Sequence, residues 1–93
     1  MVKLEFTKHG KKRVLERGID ISEVLDAIEN PVFLYHDISS RTNIAFKKLN
    51  KKHLLVSYVR EGEKIKVVTA FITSEAQKII SRKVRKGKWV RIK

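Results

Sequence analysis

The stretch HLLVSYVREGEKIKVVTAFIT, residues 53–73, constrains the arrangement of everything around it. Two runs rich in Val, Ile and aromatic residues are split by Glu61-Gly62-Glu63, the pattern of a β-hairpin. Alternation places Leu54, Val56 and Tyr58 opposite Leu55 and Val59 in the first run. In the second it places Ile65, Val67 and Phe71 opposite Val68, Ala70 and Ile72. Strands that are apolar on both faces belong inside a sheet with helices packed on at least one side.

Working outward, VFLYHD (32–37) and NIAFKKL (43–49) read as two further strands around DISSR, with Ile44 and Phe46 sharing a face. Asn50-Lys51-Lys52 turns the chain into the hairpin. Upstream, a short strand is expected over Val2 to Phe6, followed by a helix that Thr7 caps and Gly18 ends. Ser22 is expected to cap a second helix, which Asn30-Pro31 stops. Downstream, Ser74-Glu75-Ala76-Gln77 has the form of a capping box and starts a third helix running to about Val84. The tail RKGKWVRIK (85–93) follows. The expected fold is α+β in one domain, residues 1–93: two N-terminal helices, an antiparallel sheet of about four strands and a C-terminal helix. Residues 74–93 form a basic helix and tail appended to a core of residues 1–73.

Composition narrows the function. With 93 residues and no Cys, the chain holds one modest core and has no disulfide, thiolate zinc site or thiol nucleophile. His9, His36 and His53 fall in separate elements, so no metal site is expected. No Gly-rich phosphate loop and no nucleophile elbow occur, and no cofactor is expected. The absence of a secretory signal or long apolar run points to a soluble, cytoplasmic protein rather than a membrane one. Abundant Lys and Glu with scarce Cys, Gln and Met lean towards a heat-adapted source.

Charge is the strongest functional signal. Lys and Arg total 22 against 10 acids, a net charge of +12. Such an excess on a small domain fits a polyanionic partner, most simply nucleic acid. Between Ala76 and Lys93 there are eight basic residues, among them Arg82, Arg85, Lys88 and Arg91, and no acid.

The second informative stretch is FTKHGKKRVLERGI, residues 6–19. His9, Arg13 and Arg17 are spaced by four and share one helix face. Gly10, Val14 and Leu15 lie on the other side. With Thr7 as cap, His9 occupies the second helical position, where the helix's positive end favours a neutral, proton-accepting imidazole.

The segments FTKHGKKRVLERGI, ISEVLDAIENP and LLVSYVREGEKIKVVTAF together closely resemble the domain of unknown function 4258 family of small prokaryotic proteins. The likeness covers about residues 4–73 and departs at Gly10, where relatives usually carry Ala. That departure is expected to weaken the first helix. The resemblance implies a place in the RelE/barnase/EndoU/colicin grouping of ribonuclease toxins, with a RelE/barnase-like fold. It also implies an RNA substrate, with or without the ribosome, and an antitoxin partner, expected to be acidic so as to cover the basic surface.

On that basis His9, Arg13, Arg17, Tyr58 and Arg60 are the candidate catalytic residues of a metal-independent ribonuclease. His9 takes the proton of the 2′-hydroxyl, and Arg13 and Arg17 hold the phosphate. The competing reading makes the row an ordinary charged helix face, with Glu16 pairing Lys12 and Arg13. Tyr58 is either a base-stacking or acidic group, with Arg60 adding charge, or part of the core. Lys12, Arg41, Arg82, Arg85, Lys88, Trp89 and Arg91 are the candidate nucleic-acid-binding residues. For Trp89 two roles stand: stacking on a base, or packing the terminus onto the sheet. The rival to an enzyme is a non-catalytic, basic RNA- or DNA-binding module, and an interaction scaffold with a basic tail is the third possibility.

Overall fold

The residue 53–73 hairpin lies where its double-sided apolar pattern requires, inside a six-stranded sheet. A computed structural model describes residues 3–93; Val2, expected to open the first strand, lies outside the described residues. In chain order the elements are β1 (Lys3–Phe6), α1 (Lys8–Glu16), α2 (Ile21–Glu29), β2 (Phe33–Asp37) and β3 (Thr42–Leu49). They continue with β4 (Lys52–Glu61), β5 (Lys64–Thr73), α3 (Ala76–Arg85) and β6 (Trp89–Arg91).

The fold is α+β, but the sheet is mixed and larger than four antiparallel strands, so the expected RelE/barnase-like arrangement is not matched in detail. Its order is β1-β5-β4-β3-β2-β6. The β2 to β5 meander is antiparallel, whereas β1 pairs with β5 in parallel, Lys3 opposite Lys64 and Phe6 opposite Val67. The tail does not hang free: Trp89–Arg91 pairs antiparallel with β2.

Two apolar layers follow. On one face Val14, Ile19, Val24, Ala27 and Ile28 of the α1–α2 segment pack on Ala45, Leu54, Val56, Tyr58, Ile65, Val67 and Ala70. On the other, Ala76 and Ile80 of α3 cover Tyr35, Ile44, Phe46, Leu55 and Trp89. Simple alternation misplaces the second half of β5. The register slips between Ser57 and Tyr58, which pair with Thr69 and Val67, leaving Val68 as an extra residue. This bulge shifts the parity, so Ala70 joins Val67 on the α1–α2 side and Phe71 turns to the α3 side.

The bulge also seats α1. Thr7 caps the helix, its Oγ1 accepting from the Gly10 N–H at 3.0 Å. The Thr7 N–H donates to Val67 O at 2.9 Å and its hydroxyl to Val68 O at 3.3 Å. Gly10 therefore does more than weaken a helix: a Cβ there would stand 2.5 Å from Val67 O and 3.0 Å from Val68 O. Backbone oxygens in a paired strand cannot rotate away. Gly10→Ala is expected to lower stability by about 1–2 kcal/mol, overpacking outweighing the gain in helix propensity of about 1 kcal/mol. A higher urea midpoint for this variant would show that the close approach is not obligatory.

Two helix starts differ from expectation. Asp20, not Ser22, caps α2, its Oδ1 accepting from the Ser22 N–H at 2.9 Å and the Ser22 hydroxyl at 2.8 Å. The chain leaves α1 through Gly18 at φ +60°, and Asp20 sits in an extended conformation one residue before the first helical turn. The Ser74–Gln77 capping box does not form. Helix α3 starts at Ala76, Glu75 makes no side-chain cap bond, and Thr73 Oγ1 instead accepts from the Glu75 N–H at 3.0 Å.

Candidate nucleic-acid interface

Helix α1 presents its basic row to solvent because its opposite side, Gly10 and Val14, is buried against the sheet. His9 and Arg13 meet: the Arg13 Nε–H donates to His9 Nε2 at 3.1 Å. An imidazole accepting at Nε2 carries no proton on that atom. The third member does not join them. Arg17 follows the last helical residue, and its Nη1 donates to Ala70 O at 3.1 Å while its guanidinium stands 5.7 Å from the Phe71 ring centroid. The cause lies in the sheet. Strand β1 pairs with β5 only as far as Val67, which leaves the Ala70 carbonyl on an uncovered edge for Arg17 to reach. Three groups converging on one phosphate are therefore not found in this arrangement; there is a His9–Arg13 pair, with Arg17 one turn beyond Arg13 against the sheet edge.

The remaining candidates are scattered. Lys12 pairs with Glu16 at 3.8 Å on the exposed surface, a contact of little energetic weight. Tyr58 is 4% exposed and belongs to the core under α1 and α2. Burial pushes its phenol pKa up, with the Arg60 charge acting the other way. That favours the core role over the acid. Arg60 is exposed, and its Nε donates to Gly62 O at 3.2 Å, bracing the β4–β5 turn. Arg41 sits in the β2–β3 turn at φ +60°, its N–H bonded to Asp37 O at 2.8 Å, with its side chain exposed.

Trp89 is an anchor and not a platform for bases. It is 6% exposed, packs on Tyr35 at 5.7 Å and Phe46 at 6.0 Å between ring centroids, and donates its indole N–H to Asp37 Oδ2 at 3.1 Å. Arg91 lies with its guanidinium 6.0 Å from the Phe33 centroid. Lys88 is fixed through its backbone, its N–H bonded to Lys83 O and its carbonyl to the Ile38 N–H, both at 2.9 Å.

Helix α3 carries a second basic surface. Arg82 and Arg85 line a shallow groove with Gln77, Lys78 and Ser81. Lys78 joins Arg82 and Arg85 here, and its spacing from them (i, i+4 and i, i+7) assigns the three to one helix face. Phe71 was missed, because its turn towards the α3 side depends on the bulge. Helices α1 and α3 pack on opposite faces of the sheet, so the protein offers two basic ridges rather than one. Among the described residues no group of three or more His, Cys, Asp or Glu side chains is placed to hold a metal ion, and no helix is long and apolar enough to cross a membrane.

A mixed sheet layered by helices on both faces, with an exposed cationic helix on each side, describes the class of protein. The chain belongs to the family described as Domain of unknown function (DUF4258), whose profile matches residues 6–81. The match runs past the hairpin and into α3, further than the sequence resemblance to residue 73. Searches of curated proteins and of solved structures return no significant match.

Proposed function

We propose that this protein acts on RNA as a small metal-independent ribonuclease of the RelE/barnase-like toxin kind, working in the cytoplasm and restrained by an acidic antitoxin. The observation that carries the reading is the His9–Arg13 pair on an exposed cationic ridge. Nε2 holds a lone pair, and the group occupying it is itself a phosphate ligand. An arriving phosphodiester offers Arg13 an anionic acceptor that the guanidinium can meet bidentately, whereas the imidazole is neutral and takes a single bond. Arg13 then moves to the phosphate and frees Nε2. The imidazole takes the proton of the neighbouring 2′-hydroxyl, that oxygen attacks phosphorus, and the bond to the 5′-oxygen breaks. The 5′-oxygen takes a proton from water and the imidazolium returns its own to solvent, giving a 2′,3′-cyclic phosphate and a 5′-hydroxyl. Arg17, beside Phe71, serves an adjacent nucleotide rather than the reacting phosphate.

A second reading has its own support. In this arrangement both His9 Nε2 and Arg17 Nη1 are already engaged, as suits a non-catalytic module that grips RNA backbone through α1 and α3. Cleavage of single-stranded RNA in the presence of a chelator separates the two. His9→Ala is expected to lower cleavage by about 10²-fold or more, the usual share of a general base, with RNA affinity retained. Wild-type protein that leaves RNA uncut, with and without ribosomes, ends the catalytic reading and leaves the binding module.

A further inference from the structure

We infer that the open edge of β1, with the apolar groove beside it, receives an extended acidic segment of a partner protein as an additional strand. Among the described residues strand β1 is outermost in the sheet and pairs with β5 alone. The Lys3 N–H donates to Glu63 O at 2.7 Å and the Thr7 N–H to Val67 O at 2.9 Å. The two-residue period of a strand therefore turns the N–H and C=O groups of Leu4 and Phe6 away from the sheet. Among the described residues none bonds to these four groups. Such an edge is a template for another strand, and natural sheets ordinarily block it.

The side chains beside this edge match the same occupant. Leu4 and Phe6 line a groove of about 430 Å³ with Glu5, Lys11, Val14, Leu15 and Ile21. Leu15 is 68% exposed and Ile21 54%, although both are large and apolar. An added strand would pair its backbone with Leu4 and Phe6 while every second side chain entered the groove, the pattern of strand-addition recognition.

Charge identifies the partner's chemistry. Lys11 lines the groove, and Lys3 and Lys8, which flank Leu4 and Phe6 in the chain, are exposed. Glu5 stands 3.8 Å from Lys64, and Asp20 accepts from the Ser22 hydroxyl at 2.8 Å; the chain's net charge of +12 outweighs both carboxylates and favours an acidic occupant. A second copy of the chain would bring a net charge of +12 against another +12, and like-charge juxtaposition opposes it. RNA would meet the lysines but has no use for an apolar groove or for unpaired strand groups. An acidic segment with alternating apolar residues satisfies all three features. The inference does not depend on whether α1 cleaves RNA.

The test uses the full chain and a short fluorescent peptide alternating leucine and glutamate. Saturable binding is expected by anisotropy, with hydrogen-exchange protection appearing at the Leu4 and Phe6 amides. A peptide of the same composition with its leucines and glutamates in separate blocks is expected to bind at least tenfold more weakly. The double variant Leu15→Ser, Ile21→Ser, which alters exposed side chains only, is expected to lose a similar factor with an unchanged melting temperature. Equal binding of the two peptides, or undiminished binding by the variant, overturns the proposal in favour of simple charge attraction. Absence of binding overturns it outright. Protection of Leu4 and Phe6 by an RNA oligonucleotide instead, or by raised protein concentration alone, assigns the edge to nucleic acid or to self-association.

Discussion

Trp89→Ala is expected to lower stability by about 3–5 kcal/mol, the cost of emptying a large aromatic site in a packed core. For a domain whose whole stability is of order 5–15 kcal/mol, that is enough to populate the unfolded chain measurably. The effect should be large because Trp89 closes three contacts together. It fills the α3-side core against Tyr35 and Phe46, it starts the three-residue β6, and its indole N–H satisfies Asp37. Burial raises the Asp37 carboxyl pKa, but bonds from the Ser40 N–H, the Ser39 hydroxyl, the Trp89 indole and the Ser39 N–H outweigh it and bring the value down to about 2. A carboxylate depressed in the folded state contributes stability above its ordinary value near 3.8. That contribution disappears as pH falls from about 4 to about 2. Urea unfolding across this range should therefore show an acid-side decline in wild type that is reduced in Trp89→Phe, which keeps a ring but loses the indole donor. The folded Trp89→Phe variant should bind RNA as wild type does. A loss of RNA affinity with stability untouched would restore the base-stacking role and contradict the packing.

The features legible from sequence were those encoded over short range. The β4–β5 hairpin, the Thr7 cap and the His9–Arg13 adjacency each depend on residues a few positions apart, where period and capping chemistry speak directly. The parallel partner of β1 was not legible, because four residues carry too little pattern to choose between a free edge and a strand more than sixty positions away. Strand β6 was hidden for a related reason: Trp-Val-Arg shows no alternation, and only the Asp37 acceptor and the Tyr35–Phe46 surface reveal why it docks. The bulge at Val68 misled the face assignment of Ala70 and Phe71, since a single extra residue inverts a two-residue period. Arg17 illustrates how such an error reaches function. Its helical spacing is correct, yet its guanidinium goes to a carbonyl that is available only because β1 stops early. What sequence could not supply at the site was thus a consequence of sheet topology and not of the helix bearing the residues.

Raising the salt concentration from 50 to 200 mM is expected to weaken RNA binding by about two orders of magnitude, the largest change in affinity anticipated for this protein. The estimate follows from counterion release with about five or six phosphates engaged and a slope near −0.7 per phosphate on single strands. The two basic ridges make the effect divisible. Lys78, Arg82 and Arg85 on α3 flank one groove, and the Lys78 contact to Glu75 is long, at 3.9 Å, and exposed. Arg82→Glu with Arg85→Glu should reduce the slope by about 1.4, two phosphates' worth, and should lower affinity at every salt concentration. Both side chains are exposed, so the melting temperature should hardly move. Substituting Arg13 on α1 should leave most of the slope intact while abolishing whatever cleavage the protein performs, because one guanidinium lost from many barely alters the electrostatic sum. If the α3 variant retained the full slope, the RNA would have to lie along α1 alone, on the opposite face of the sheet. A wild-type slope near zero would remove the polyanion as partner altogether, whatever the net charge of the chain.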